Sequence, residues 1–595
     1  MRFRNRCILA IVFAVGMICS AGLYLAHLTT EVRHHLSSAA LLIPQIKTQV
    51  MAKNSEESHR LLTSAADHTQ AARDTVNDPM WKIAGHLPVV GQNFGAISIV
   101  AHEAEAMSVR AGEPLLTASD LLASGDLTPS QGTVDVGLIR EAFEAVNSAF
   151  SATQQATTQL ENIDTRQLLP QIAGPLDEVT GILRESKAEL HDAVEIFRIL
   201  PPMLGSTEPR NYLVLIQNSA EVRATGGLPG ALVVVSTDNG KIEMTAQASG
   251  SQLGKFTPPV VIDQEQEQIF SSRLGTYISD VNMTPDFPSV ARAAKDMWEV
   301  RYGTTIDGVV AIDPTVLSHI LAASGPVPLD AATALGIPGS LPSALTAENV
   351  VKTLLSDVYS ATDNRGQDQF FGYAAQQVFE VLSAGKVPPT KLAQALAQST
   401  AENRLHVWSR WDDEQLVLES KRLGGAISSG PDAGTNSFGA FFNDGTGAKM
   451  DFHVKRTVQL IQECPKSDGW QTTVRVTSTN FAPADAATSL SPYVTGAGLF
   501  GVPPGVVQTN IVVYGPAHSN IETAKLDGQR TSFAPHLHGK RPVGVLAIKL
   551  GPGESHTVDV TFGSFMQGGS PSILVTPTVQ NVRDVILPTV TAPCN

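Results

Sequence analysis

The chain has 595 residues, 43% of them hydrophobic and 17% charged, with a formal net charge of −15. That length exceeds what one hydrophobic core serves, so three or four folded units are expected, and the composition excludes a wholly disordered chain. Acidity without a clustered Lys/Arg run excludes nucleic acid as the main partner, because phosphate binding needs concentrated positive charge.

The first expected element is a membrane span. "MRFRNR" carries Arg2, Arg4 and Arg6, and "CILAIVFAVGMICSAGLYLA", Cys7 to Ala26, follows without a charge. About 20 apolar residues cross a bilayer as a helix, and arginines on the leading flank alone keep that flank in the cytoplasm. The run is longer than the apolar part of a cleaved signal peptide. Residues 1–6 are therefore expected as a cytoplasmic tail and 7–26 as a transmembrane signal-anchor. The bilayer is then a partner through 7–26, and the rest is extracytoplasmic at the cell membrane, in single-pass topology.

Residues 27–204 read as a helical bundle or stalk. Leu, Ile, Val and Ala recur at three and four residues in "LIREAFEAVNSAFSATQQATTQLENI" and "LLPQIAGPLDEVTGILRESKAELHDAVEIFRIL". Breaks at "NDPMWKIAGHLPVVGQNFG" and "SGDLTPSQGTVDVG" argue against one continuous coiled coil.

From 205 to 400 strands alternate with helices, the pattern of an α/β domain. The runs "YLVLI" and "ALVVV" are apolar enough to be covered on both faces, and "QNSAEVRATGG" bends the chain between them. Arg223 stays charged and must meet water, a carboxylate such as Glu221, or a bound anion. The bend is thus either a local ion pair or the lip of an anion site, placed at the rim of the domain with Arg223 near Arg365. Asp313, before Pro314, reads as a helix cap, and Asp307 as a turn residue or a catalytic candidate.

Residues 401–430 read as a linker, and 431–595 as an antiparallel β-sandwich of about seven short strands. The fold class is therefore multidomain α+β. "HLHG" at 536–539 could offer two imidazoles on one strand face, with His556 nearby in sequence, but no third ligand stands at diagnostic spacing. Neither a metal site nor a cofactor is expected, and no nucleotide-binding glycine motif occurs. Outside the span only Cys464 and Cys594 remain; in an oxidising space they could pair as a disulfide tying down the C-terminus.

Five stretches in order resemble a family of bacterial envelope proteins catalogued as domain of unknown function 4012. They are "WKIAGHLPVVGQN", "RNYLVLIQNSAEVRATGGLPGALVVV", "TPDFPSVARAAKDMW", "TIDGVVAIDPTVLSHILAASGPVPL" and "LTAENVV". The resemblance implies a membrane-anchored surface protein and brings no chemistry. More distantly, the order of elements in the α/β domain is similar to the LytR-CpsA-Psr domain, which transfers lipid-pyrophosphate-linked glycopolymers. That likeness implies Thr225 and Gly226 in the first turn, arginines on a pyrophosphate (Arg223, Arg365), and Asp307 or Asp368 on Mg²⁺ or the acceptor. The chain departs from it with one arginine in "TDNRGQDQFF", with Phe370 and Phe371 beside it, and with Pro229 where an acid is expected. The favoured expectation is a non-enzymatic binding or scaffold module for cell-wall glycopolymer or another envelope protein. The alternative is a divergent phosphotransferase.

Overall fold

The computed structural model describes every residue except Met1, Lys53, 124–131, 331–333, 338–340, Lys386, Ser428, 430–432, Thr435, 464–469, 565–569 and 593–595. For 2–16, 18, 122, 123 and 564 it describes the backbone only. The chain divides into two compact units, one of residues 1–127 and 135–202, the other of 203–595 with a short segment ending at Val134. The protein is mixed α+β.

The first unit is helical. Its elements are α1 (Arg2–Met51), α2 (Ser55–Val76), α3 (Pro79–Ala84), α4 (Gly91–Met107), α5 (Glu113–Ala123), α6 (Val136–Glu161) and α7 (Pro170–Met203). Side-chain caps start several of them: Asp78 accepts from Met80 N at 2.7 Å ahead of Pro79, and Asp135 accepts from Gly137 N at 2.7 Å. In α6, Ile139, Ala142, Val146, Ala149, Ala152, Ala156 and Leu160 repeat at three or four residues and are buried, the stripe expected of an amphipathic helix. Alanine dominates that stripe, so neighbouring helices can approach closely. Leu28 and Val32 of α1, Ala72 and Val76 of α2, Trp81 of α3 and Ala101 of α4 form one small core.

Among the described residues no helix is long and apolar enough to cross a membrane. The expected span, 7–26, forms one end of α1, and most of its side chains lie outside the described residues. The paired cysteines expected at Cys464 and Cys594 also lie outside them; Cys19 is a free, exposed thiol.

The second unit holds a mixed five-stranded sheet and a pair of larger sheets. The strands of the first are β1 (Arg210–Asn218), β2 (Leu228–Asp238), β3 (Lys241–Ser249), β4 (Gly308–Ile312) and β5 (His406–Ser409), in the order β3-β2-β1-β4-β5. β1 runs antiparallel to β2, with Leu215 opposite Leu232, and parallel to β4, with Leu215 opposite Ala311. Alternate side chains point to opposite faces. Leu213, Leu215, Leu232 and Val234 pack with Phe287, Val290, Ala294 and Trp298 of α8 (Phe287–Tyr302). The opposite face meets α9 (Pro314–Ser324) and α10 (Asn364–Ser383), whose own core includes Leu321, Leu345, Val358 and Phe370. The face toward α8 is fully buried, whereas Val214, Ile216, Ala231 and Val235 on the other face are half-buried, so the two runs are covered completely on one side and partly on the other.

The segment expected as a linker, 401–430, supplies β5 and the helix Asp412–Glu419. "HVWS" is too short and too polar at its ends to read as a strand alone; pairing with β4, Val309 opposite Trp408, completes it.

After Ser437 two sheets face each other across one apolar core that includes Phe438, Phe442, Val458, Val476, Ile511, Val560 and Phe562. One sheet has six strands and the other five, more than the seven expected in all. Nor are they purely antiparallel. Ser572–Val575 pairs in parallel with Ser437–Asp444, and Val590–Thr591 in parallel with Val454–Gln462. Both late strands close an edge, which an exposed sheet otherwise leaves open to aggregation.

Candidate functional site

The bend between β1 and β2 does not lie on an open rim. Residues 219–225 are inserted into the C-terminal sheet pair, and Val222 is a fully buried member of that pair's core. The backbone is held from the far side: Val222 N donates to Asp451 Oδ2 at 3.1 Å, Asp444 N to Val222 O at 2.9 Å, and Ala224 N to Asn443 Oδ1 at 3.1 Å. Thr576 Oγ1 donates to Ala224 O at 2.9 Å. Gly227 permits the return to β2, because a Cβ there would stand 2.2 Å from the Asn218 carbonyl carbon and oxygen.

Around this loop lies a buried charge cluster. The Arg223 guanidinium is 5% exposed and donates to Glu221 Oε1 at 3.1 Å, Asp280 Oδ1 at 3.4 Å, Ser279 O at 3.3 Å and Val222 O at 3.1 Å. Lys449 Nζ donates to Glu221 Oε2 at 2.5 Å, Arg273 Nε to Asp280 Oδ2 at 3.0 Å, and Arg456 to Asp451 Oδ1 at 2.5 Å. Burial alone would raise the Glu221 carboxyl, but Lys449 and Arg223 outweigh it and hold it below the ordinary range. Asp444 goes the other way. Burial, with Asp451 and Glu221 as like-charged neighbours, pushes it up to about 7 against the pull of Arg223. Arg223 therefore has its donors spent on protein acceptors and offers no open fork to a ligand.

The other expected site residues do not join it. Arg365 is exposed in the first turn of α10 while Arg223 is buried, so the two guanidiniums do not present themselves on one open rim. Asp307 precedes β4, accepts from Asn211 N at 2.9 Å and faces Arg410 at 3.6 Å; it fastens the ends of β1, β4 and β5 together. Asn211 and the bend lie at opposite ends of β1, roughly 25 Å apart at strand rise, so Asp307 and Arg223 cannot act on one ligand atom. Thr225 Oγ1 accepts from Gln217 and Asn282 at 3.0 Å each and is buried, and Gly226 presses against Gln217. Asp313 caps α9, accepting from Thr315 N and Val316 N at 2.9 Å, and also receives the buried Arg404 at 2.6 Å.

Of the four candidates, Asp368 is the one that lines a cavity. It lines a groove of about 410 Å³ between α10 and strands β2 and β3, with Gly230, Gln247, Gln369, Phe371 and Tyr373. Burial raises its carboxyl above the ordinary range, against a hydrogen bond with Ser249. The Gln247 and Gln369 amides make no hydrogen bond among the described residues, and the Gln247 side chain lies over Gly372, where an added Cβ would be 3.3 Å from its Nε2. Tyr373 turns its hydroxyl to Asp330 N at 3.3 Å. No Lys or Arg occurs among the groove's described lining residues.

A smaller recess of about 80 Å³ shares Gly230, Ala231, Asp368 and Phe371 with the groove and reaches inward to Tyr359, Tyr493 and Lys449. Burial pushes the Tyr359 hydroxyl up to about 12, and the Asn218 amide donates to it. Lys449 is already taken by Glu221. The recess thus leads from the open groove at Asp368 to Lys449 at the edge of the closed charge cluster. Sequence reasoning missed the groove: its amides carry no motif, and only the polar–apolar alternation of β3, Lys241 to Ala246, marks a partly open sheet end.

The imidazoles of "HLHG" do not gather a metal site with His556. His538 is buried against Gln266 Nε2 at 2.7 Å and the Tyr514 hydroxyl at 3.2 Å, whereas His556 pairs with Asp527 at 2.7 Å in the other sheet. Among the described residues no group of three or more His, Cys, Asp or Glu could hold a metal ion.

Residues 207–359 match the model of a family described as a protein of unknown function, DUF4012, and the chain carries that family's region. The matched stretch contains β1 to β4 and the buried bend, but neither β5 nor the C-terminal sheets that enclose the bend. No curated protein and no solved structure matches the chain.

Proposed function

We propose that this chain is a membrane-anchored, extracytoplasmic binding protein of the bacterial envelope. Its α/β domain holds a neutral saccharide of the cell surface in the groove between α10 and strands β2 and β3, without turning it over. The observation that carries this reading is the contrast in where charge is placed. Arg223, on which pyrophosphate binding would depend, has its donors satisfied inside the protein. The open groove instead offers free amides, two aromatic rings and one carboxylate. Hydroxyl-rich sugars are matched by amide donors and acceptors, by a carboxylate that accepts from paired hydroxyls, and by ring faces that cover their C–H surfaces.

The anchor rests on the uncharged run 7–26 behind Arg2, Arg4 and Arg6. Mg²⁺ has no part in this reading. It belongs to the alternative, a LytR-CpsA-Psr-like transfer of lipid-pyrophosphate-linked glycopolymer, for which Arg365 and Asp368 are the exposed residues left.

The test is calorimetric titration of the full chain in detergent with soluble cell-wall glycan fragments, beside a release assay with lipid-pyrophosphate saccharide and Mg²⁺. Saturable glycan binding with no release is expected. Release that disappears in Arg365→Ala and Asp368→Asn would overturn the binding reading in favour of the transferase.

A further inference from the structure

The segment between α3 and α4 carries an apolar surface without an internal partner. Ile83 is 59% exposed, Leu87 45%, Val89 90% and Val90 42%, four large aliphatic side chains within eight residues. They are not on a frayed loop. Leu87 N donates to Ala84 O at 3.1 Å, Val90 N to Pro88 O at 2.8 Å and Gly91 N to Leu87 O at 2.9 Å. Gly91 packs so closely on Gly85 that a Cβ would stand 2.4 Å from its carbonyl oxygen. Val89 holds φ at 70°, a region that β-branched residues rarely enter, and the turn so formed points it outward.

The position of this turn on α1 gives it a meaning. Tyr24, two residues before the end of the uncharged run, donates its hydroxyl to Asp78 Oδ2 at 3.0 Å. Trp81 and Met80 pack with Leu25 inside that end and with Leu28 and Val32 just beyond it. Trp81 Nε1 donates to Ser98 Oγ at 2.9 Å, fixing α3 on α4. The apolar turn is thereby fastened at the level where the run 7–26 ends. Leu169, 53% exposed, stands beside it, its N–H donating to Asn93 at 2.9 Å. Between Pro79 and His102 the chain contains Lys82, His86 and His102 and no Asp or Glu.

We propose that the turn Ile83–Val90 lies in the interfacial layer of the bilayer, where it seats the helical unit on the membrane surface. The proposal rests on the anchor reading of residues 7–26. Aliphatic side chains gain by entering the boundary between headgroups and acyl chains; residues 79–102 bring a lysine and no carboxylate, and the Asp78 carboxylate just before them is engaged by Tyr24 and by Met80 N. The occupant of the patch is lipid, because the patch continues the apolar surface of the span and is tied to its end by Tyr24 and Trp81.

The experiment uses the full chain in vesicles of phosphatidylcholine and phosphatidylglycerol, with an environment-sensitive fluorescent amino acid placed in turn at Val89, Cys19 or Glu56. Lipids spin-labelled high on the acyl chain serve as quencher. Cys19 reports the anchor, and Glu56 is an exposed control at the end of α2 far from Trp81. The expected result is blue-shifted, strongly quenched emission at Val89 and Cys19, with water-like, unquenched emission at Glu56. Quenching at Cys19 with none at Val89 overturns the seated turn and leaves the anchor standing. No quenching at Cys19 overturns the anchor and the proposal with it. Equal quenching at Val89 and Glu56 also overturns the proposal, since contact would then not be specific to the turn.

Discussion

The two ends of the β1–β2 connection solve opposite problems. At residues 219–225 the chain carries charge into a closed space and satisfies it there, Arg223 against Glu221 and Asp280, Lys449 against Glu221, Arg456 against Asp451. A few residues later, at Gly230, the same strand lines an open groove whose described walls hold amides and rings and no cation. Both regions are polar, so polarity alone does not mark a binding site. What separates them is whether the polar atoms already have partners. Buried charges without partners are too costly to keep, so an enclosed arginine points to architecture. A free amide on an open wall points to something outside the protein.

The sharpest way to break this comparison is to remove what encloses the bend. The family region 207–359, expressed alone, lacks Asn443, Asp444, Lys449 and Asp451, exposes Val222 and leaves Glu221 without its Lys449 partner. It also lacks β5. It is expected not to fold cooperatively, with flat thermal melts and collapsed amide dispersion by NMR. A sharp transition and dispersed spectrum would mean that the bend is stable without the C-terminal sheets.

Next in size is a single change at the centre of the cluster. Arg223→Met leaves Glu221 and Asp280 short of a partner and is expected to cost about 3–5 kcal/mol, the usual range for breaking a buried ion pair. Arg365→Ala, on an exposed first turn, is expected to change stability by less than about 0.5 kcal/mol. Denaturant unfolding of the two variants side by side measures the difference, and equal effects would refute the division between closed and open regions.

Asp444 adds a pH signature. Its carboxyl ionises near 7 in the folded protein and near 3.8 in an unfolded chain, so the folded state binds the extra proton between those values. The contribution to stability is complete below pH 4 and is lost as pH rises through 7. His406, buried and lowered to about 4 from 6.5, has the opposite sense: its contribution is complete above 6.5 and is lost as pH falls through 4. Asp444→Asn isolates the first effect. Melting temperatures of the variant are expected to lack the decline that Asp444 gives the parent protein between about pH 4 and 7, while the rise due to His406 persists. An unchanged pH profile would show that Asp444 is ionised throughout.

Local chemistry was legible in the sequence; long-range partnership was not. The strand runs, the cap at Asp313 and the turn-making glycines depend on neighbours within a few residues, and each is found where the pattern placed it. The Glu221–Arg223 pair was also legible, being two residues apart. Its enclosure was not, because Lys449 and Asp444 stand more than 200 residues away and nothing in "QNSAEVRATGG" marks it as a loop bound for another sheet pair's core. For the same reason Asp313 showed its capping role but not Arg404, and "HVWS" showed no strand until β4 lay beside it. The groove was the least legible feature. Free amides are defined by what they do not touch.

The smallest expected effect is the most direct test of the open region. Gln247 and Gln369 are exposed, one on β3 and one on α10, and neither amide has a hydrogen-bond partner among the described residues. Their removal should therefore leave the fold nearly as it was, within about 0.5 kcal/mol. If each amide makes one hydrogen bond to a bound sugar, worth about 0.5–1.5 kcal/mol, the double variant Gln247→Ala/Gln369→Ala should lose about 1–3 kcal/mol of binding, roughly five- to 150-fold in Kd. Tyr373 and Phe371 stay in place, so residual stacking should keep some affinity. Titration of the parent and the double variant with the same glycan fragments, alongside their unfolding curves, separates the outcomes. Weaker binding at unchanged stability supports a groove built for a hydroxyl-rich ligand. Unchanged binding would place the ligand elsewhere, and lost stability would show that these amides serve the fold, erasing the contrast with Arg223.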